Sequence, residues 1–225
     1  MTYSIVARCA RTGSLGVAIS SSSPAVASRC AHVRSGVGAV ATQNITDPRL
    51  GPAVLERLAS GMGAAAALDA VCESAEHLEY RQLTVVDTSG ASAAYDGSHS
   101  LGVNGSVLAP GCVVAGNMLA GLDVLSSAAS AFAESEGQAL EERLLLAMEA
   151  GLACGGEAGP VHSAGMLVAD DVPWPVTDLR VDWSDAPIAD LRRLWALWEP
   201  QKQAYRTRAL DPRHSPGYGV PGDDR

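Results

Sequence analysis

The sequence predicts an α+β fold in which two mostly antiparallel β-sheets pack face to face with helices on both outer sides, a four-layer αββα sandwich. The predicted elements run as strands, two helices, strands, two helices, strands and one helix. Paired helices disfavour a parallel sheet with one helix per strand. The composition is 47% hydrophobic but only 4% aromatic, with 23 glycines. Small side chains of this kind suit two sheets that face each other across a thin core.

The first half of the chain predicts a hairpin, a buried strand, a helical pair and two further strands. Residues 3–9 alternate apolar and polar side chains as a half-buried strand does, and the turn Arg11-Thr12-Gly13 leads into a second strand. Asp47 and Pro48 are typical of a helix cap and first helical turn. The predicted elements are strands 3–9, 15–20 and 37–43, helices 47–60 and 63–76, and strands 81–87 and 91–95.

The second half predicts the remaining strands and three helices. Pro110-Gly111 divides residues 106–115 into two short strands, and residues 138–153 place Leu140, Leu144 and Met148 on one helical face. The other predicted elements are helix 122–133, strands 162–169 and 178–181, and helix 187–203. We expect one domain over residues 1–209, and a mobile tail over 210–225, where Pro, Gly, Asp and Arg replace apolar residues.

Composition and charge exclude several classes of function. The net charge of −9 and the lack of any basic run argue against a nucleic-acid partner. No apolar stretch is long enough to span a membrane. Five scattered cysteines and no signal peptide favour a reduced, cytoplasmic protein. The histidines lack metal-ligand spacing and no phosphate-binding loop occurs, so we expect neither metal nor cofactor.

Thr2 is the most informative candidate for catalysis. If Met1 is removed, the chain begins with a hydroxyl and a free amine on one residue, which together form a nucleophile and its base. An α-amino group has a pKa of about 7.7–8.0, so part of it is unprotonated near neutral pH. The alternative is that Thr2 is a disordered first residue without a function.

Five other polar residues suit a binding or catalytic site. Gly116 allows close backbone approach, so Asn117 fits an oxyanion donor, or else it fixes its own turn. Gln43-Asn44 follows an apolar strand and either caps it or points into a site. Ser22 belongs to a serine run that would hold a carboxylate or an oxyanion, or form a polar turn. Arg81 either binds substrate or pairs with Glu79 at a sheet edge.

Several blocks of the sequence resemble one known family. The blocks are Ser4-Ile5-Val6-Ala7-Arg8, Pro24-Ala25-Val26, Gly36-Val37-Gly38-Ala39-Val40-Ala41-Thr42-Gln43, Glu79-Tyr80-Arg81-Gln82, Gly116-Asn117-x-Leu119-x-Gly121 and Asp178-Leu179-Arg180-Val181-Asp182. Together they resemble the domain of unknown function 1028 family, grouped with the N-terminal nucleophile (Ntn) hydrolases. The resemblance implies an αββα sandwich like that of proteasome β-subunits.

The resemblance also implies two further site residues. In proteasome-type subunits, a basic residue further along the chain lowers the pKa of the N-terminal threonine's amine. The corresponding position here is Arg34, which otherwise is a solvated arginine at a strand entrance. The segment Val161-His162-Ser163-Ala164 departs from the family pattern, so His162 is expected to line a site for a different substrate.

The leading hypothesis is an Ntn-type amidohydrolase acting on a small amide, lactam or imide. Its catalytic residues would be Thr2, Asn117 and Arg34, and its substrate-binding residues Ser22, Gln43, Asn44, Arg81 and His162. The alternative is a non-catalytic protein of the same shape that binds a small molecule or stabilises a partner. A nucleophile inside the chain, such as Ser22, is a third hypothesis. The apolar face of the last helix predicts a homo-oligomer.

Overall fold

A computed structural model describes residues 1–223 and has an α+β fold. Within these residues the strands are β1 Thr2–Arg8, β2 Leu15–Ser21, β3 Ala31–Arg34, β4 Gly38–Asn44, β5 Arg81–Asp87, β6 Ser92–Asp96, β7 Gly105–Ala109, β8 Cys112–Asn117, β9 Ser163–Ala169 and β10 Pro175–Val181. The α-helices are α1 Ala27–Cys30, α2 Leu50–Ala59, α3 Ala64–Cys72, α4 Asp123–Glu134, α5 Leu140–Ala153 and α6 Pro187–Leu210. Short 3-10 turns lie at Leu78–Tyr80 and Pro212–His214.

The strands form two antiparallel sheets that pack against each other. The larger sheet has the order β10-β9-β2-β1-β8-β7 and the smaller has the order β3-β4-β5-β6. Helices α4, α5 and α6 cover the outer face of the larger sheet, and α2 and α3 cover the smaller one. This arrangement confirms the four-layer αββα sandwich that the sequence predicts.

Side-chain alternation in β1 shows how the layers are built. Ile5 and Ala7 belong to the core beneath the helices, whereas Val6 belongs to the core between the sheets. Successive side chains of a strand point to opposite faces, so Thr2 and Ser4 share the inter-sheet face with Val6. The middle of this face is apolar, but the end where β1 begins is polar.

The structure differs from the predicted elements in one unpredicted helix–strand pair and in several boundaries. Helix α3 ends at Cys72 rather than at residue 76, and β10 begins at Pro175 rather than at residue 178. Helix α1 and strand β3 were not predicted, because four residues are too few to show a period. Helix α2 begins at Leu50 rather than at residue 47, since the Asp47 carboxylate accepts the Arg49 N–H in a preceding turn. Helix α6 continues to Leu210 instead of ending near residue 203. Among the described residues no helix is long and apolar enough to cross a membrane.

Candidate active site between the sheets

Six polar side chains meet between the two sheets at the end where β1 begins. They are Thr2, Ser4, Ser21, Gln43, Gln82 and Asn117, and we call them the inter-sheet polar cluster. Each of the six residues is more than nine-tenths buried. A buried polar group is costly unless it is hydrogen-bonded, so six such groups together indicate a specific hydrogen-bonded arrangement.

Strand register brings the members together. Thr2 lies opposite Ser21 on β2 and opposite Asn117 on β8. The Ser4 hydroxyl donates to Gln43 Oε1 across the gap between the sheets, at 2.7 Å. The structure therefore places Thr2, Gln43 and Asn117 at one end of the sandwich.

A chain of amide hydrogen bonds runs through the cluster. Gln82 Nε2 donates to the Asp96 carboxylate at 2.6 Å, and Gln82 Oε1 accepts from Gln43 Nε2 at 2.7 Å and from Asn117 Nδ2 at 3.1 Å. The Asp96 oxygen accepts from the Gln82 amide nitrogen, so Asp96 fixes the orientation of Gln82 and hence that of Asn117. Asn117 Oδ1 is left buried without a partner. An unpaired buried acceptor of this kind costs about 1–3 kcal/mol, and a ligand with an N–H group would satisfy it.

Met1 covers the hydroxyl side of the cluster. The Met1 carbonyl accepts from Thr2 Oγ1 and from Ser21 Oγ, each at 2.6 Å, and the two hydroxyl oxygens are 3.1 Å apart. The Met1 amine donates to Ser22 Oγ at 3.4 Å, and the Met1 side chain lies against Gly159. Ser22 therefore adjoins the chain end, next to the cluster.

Glu157 is a buried acid beside the chain end, and the sequence pattern does not predict it as a site residue. It lies between α5 and β9, accepts from Ser20 Oγ at 3.1 Å and from the Ser22 N–H at 3.2 Å, and is only 5% exposed. Burial raises the pKa of Glu157 to about 7, although the nearby terminal amine acts in the opposite direction. A glutamate in a glycine-rich loop shows no periodicity that would have revealed it.

Asn44 and Arg81 shape a loop at the rim of the cluster. Asn44 has a φ of +67°, and its side chain donates to Tyr80 O at 2.6 Å and accepts from the Leu101 N–H at 3.2 Å. Arg81 Nη1 donates to the Ile45 carbonyl, rather than pairing with Glu79. In this structure both side chains therefore hold backbone segments.

His162 lies directly before β9 of the larger sheet, next to Ser21. Its backbone N–H donates to the Ser21 carbonyl at 2.8 Å. Its ring stacks on Trp183 with the centroids 4.4 Å apart, and Nδ1 is 3.2 Å from the Ser184 carbonyl. Because Trp183 is 60% exposed, the ring pair forms an aromatic surface beside the cluster.

The structure does not bring Arg34 to Thr2. Arg34 lies opposite Gly38 at the start of β4, whereas Gln43 of the cluster lies at the other end of that strand. Its guanidinium pairs with Glu56 on α2. The expected position of Arg34 beside the Thr2 amine is therefore wrong, because distance along the chain is no guide once β3 and β4 form a hairpin. Within residues 1–223, no three acidic, His or Cys side chains group as metal ligands.

Comparison with known proteins places the chain near a single family. The profile described as "Family of unknown function (DUF1028)" matches residues 2–191. The crystal structure of protein SPO2555 from Silicibacter pomeroyi, of the same family, is 32% identical with a TM-score of 0.82, over 87% of this chain and 85% of that one. Anbu (ancestral β-subunit) from Yersinia bercovieri aligns at 9% identity with a TM-score of 0.44, over 97% of this chain and 100% of that one. No curated protein matches the chain.

Proposed function

The chain belongs to the DUF1028 family, and we propose that it is an amidohydrolase of the N-terminal nucleophile type that acts on a small amide, lactam or imide. The observation that carries this proposal is the position of Thr2. Thr2 is the first residue of β1, and its hydroxyl lies in the inter-sheet polar cluster, which also contains an unpaired amide oxygen. If Met1 is removed, the Thr2 hydroxyl, the Thr2 amine and the Asn117 amide would lie in one site.

Removal of Met1 would prepare the site. It would free the Thr2 amine, take away the carbonyl that now holds the Thr2 and Ser21 hydroxyls, and open space beside Gly159. The amine would accept the proton of Thr2 Oγ1 as this oxygen attacks the substrate carbonyl carbon. The same proton would pass to the leaving nitrogen as the C–N bond breaks. Water would then hydrolyse the acyl ester and restore the hydroxyl.

In this mechanism Asn117 would stabilise the oxyanion and would help to select the substrate. One hydrogen of its Nδ2 group is donated to Gln82, so the second is available to the oxyanion of the tetrahedral intermediate. Its unpaired Oδ1 would accept an N–H group of the substrate or of the Thr2 amine. Gln43, which holds Ser4 and Gln82 together, would support this arrangement from the smaller sheet.

The remaining predicted residues would border the substrate. Ser22 contacts the Met1 amine, and His162 donates its backbone N–H to the Ser21 carbonyl. The stacked His162–Trp183 pair would offer a flat apolar surface to part of a small substrate. Asn44 and Arg81 would fix the backbone at Tyr80 and Ile45, at the rim of the cluster on the smaller sheet. Arg34 has no part in the proposed mechanism, because its partner is Glu56.

Turnover of a panel of small amides, lactams and cyclic imides by Thr2→Ala and Thr2→Ser tests the proposal. Alanine and serine are both small, so all three proteins are equally open to removal of Met1. We expect Thr2→Ala to lose activity by orders of magnitude and Thr2→Ser to retain part of it, with both variants as stable as the wild type. Full activity in Thr2→Ala would show that the nucleophile lies elsewhere.

One observation favours the alternative, a non-catalytic protein that binds a small molecule. While Met1 is in place, both hydroxyls of the site are committed to its carbonyl and the Thr2 nitrogen is an amide. An intact Met1 in the purified protein, together with no turnover across the panel, would therefore favour binding over hydrolysis.

A further inference from the structure

A pocket lies at the end of the sandwich opposite Thr2. It encloses about 260 Å³. Its lining includes Arg8 at the end of β1, Arg143 on α5, and the turns around Gly90 and Gly111. We propose that this pocket binds a small oxyanion, a carboxylate or a phosphate group, between the two guanidinium groups. The proposal is independent of the proposed hydrolase activity.

Arg143 is a buried cation that has no acidic partner within residues 1–223. Its side chain lies on the Phe132 ring, 3.8 Å from the ring centroid, and Nε and Nη2 donate to the Phe132 carbonyl at 3.2 and 2.9 Å. The residue is only 5% exposed. Burying a charge is costly unless it is paired, so an anion in the pocket would offset that cost.

Arg8 reaches the same pocket from the other face of the larger sheet. Strand alternation places its side chain on the inter-sheet face, and its Cδ lies close to Gly90 in the β5–β6 turn. Its Nε is buried and has no hydrogen-bond partner. Among the described residues Arg8 forms no ion pair, whereas Arg34 and Arg192 each pair with glutamate.

The charges around the pocket favour an anion. The titratable groups in its lining are Arg8, Arg143 and Glu136, and Glu136 is exposed and is not paired with either arginine. Guanidinium groups bind carboxylate and phosphate oxygens through paired hydrogen bonds. The whole chain has a net charge of −9, so its net charge does not attract anions to the surface. Binding of an anion would therefore report this local site.

Titration of the full chain with inorganic phosphate, and separately with succinate, tests the proposal by calorimetry and by thermal unfolding at constant ionic strength. We expect saturable binding of at least one anion with a rise in the melting temperature. The arm that saturates identifies the preferred oxyanion. Arg8→Gln should weaken binding at least tenfold, since it removes one of the two guanidinium groups. Arg57→Gln is the matched control, because it removes an equal charge from the exposed side of α2 and should leave binding unchanged.

Arg143→Lys provides the second variant, because it keeps the buried charge but loses the planar fork. We expect this variant to fold and to bind the anion at least tenfold more weakly. Absence of saturable binding by both anions in the wild type would overturn the proposal. Equal binding by the wild type and a folded Arg8→Gln variant would also overturn it.

Discussion

Glu157 shows how one buried residue makes this end of the molecule sensitive to pH. Its carboxyl group is enclosed by β2 and the loop before β9, and its pKa is raised to about 7 from an ordinary value near 4.5, chiefly by burial. Between these two values the folded protein binds more protons at this residue than the unfolded chain does. The free energy of unfolding therefore falls as the pH rises through that range.

We predict that Glu157→Gln removes this dependence. Relative to the variant, the wild type should lose up to about 3 kcal/mol of stability between pH 4.5 and 7, since the neutral amide has no ionised form to desolvate. Urea unfolding of both proteins at pH 5 and pH 8 measures the difference. Glu73→Gln, an exposed glutamate on another element, is the control and should follow the wild type. A difference between wild type and Glu157→Gln that does not change with pH would contradict the assigned burial.

At the scale of elements, Gln82 joins strands of both sheets. It connects β5 to Gln43 on β4 and to Asn117 on β8, and it is anchored by Asp96 at the end of β6. Loss of this one side chain would leave buried amide groups unpaired on two other strands. Together with the Ser4–Gln43 hydrogen bond, the Gln82 amide therefore joins the two sheets at the site.

We predict that Gln82→Leu lowers the free energy of unfolding by about 3 kcal/mol or more, because each unpaired buried group costs about 1–3 kcal/mol. Thr84→Val is the matched control on the same strand and the same face. The Thr84 hydroxyl is buried without a partner, so its replacement by a methyl group should be neutral or stabilising. Denaturant unfolding compares the two, and an equal loss in both would contradict the role of Gln82 as a connector.

The sequence predicted part of this site. Thr2, Gln43 and Asn117 were named as candidate site residues because a chain end, the end of an apolar strand and a Gly-Asn pair are visible in the sequence, and the structure places all three at the end of the sandwich where β1 begins. The sequence pattern indicated Arg81 rather than Gln82 as a site residue. Strand β5 is buried on both faces, so alternation does not show which of two adjacent polar side chains points between the sheets. Glu157 lies in a loop, where position depends on tertiary packing and not on a local period.

At the scale of the whole molecule, the sandwich core ends before the C-terminal segment. The described residues after α6 are mostly exposed, and Arg208 of α6 contacts their Pro216 and Gly217 carbonyls and the Tyr218 ring. The predicted tail also includes residues 224–225, which lie outside the described residues. Little apolar surface is buried by these contacts.

We predict that removal of residues 211–225 changes the melting temperature by less than about 2 °C, which is under about 1 kcal/mol for a domain of this size. Thermal unfolding of the full and shortened chains measures it. A larger loss that depends on protein concentration would mean that the segment docks on a second copy of the chain, and it would contradict the proposed independence of the tail.

The proposed function depends on a free, reactive Thr2, and mass spectrometry of the protein after treatment with a β-lactone tests this most directly. A nucleophilic threonine opens the strained ring and keeps the acyl group as an ester. We predict an intact mass that lacks Met1 and carries one adduct, with the adduct on the N-terminal peptide that begins at Thr2 and absent from Thr2→Ala. A protein that retains Met1, or whose adduct lies on another residue, would contradict the account.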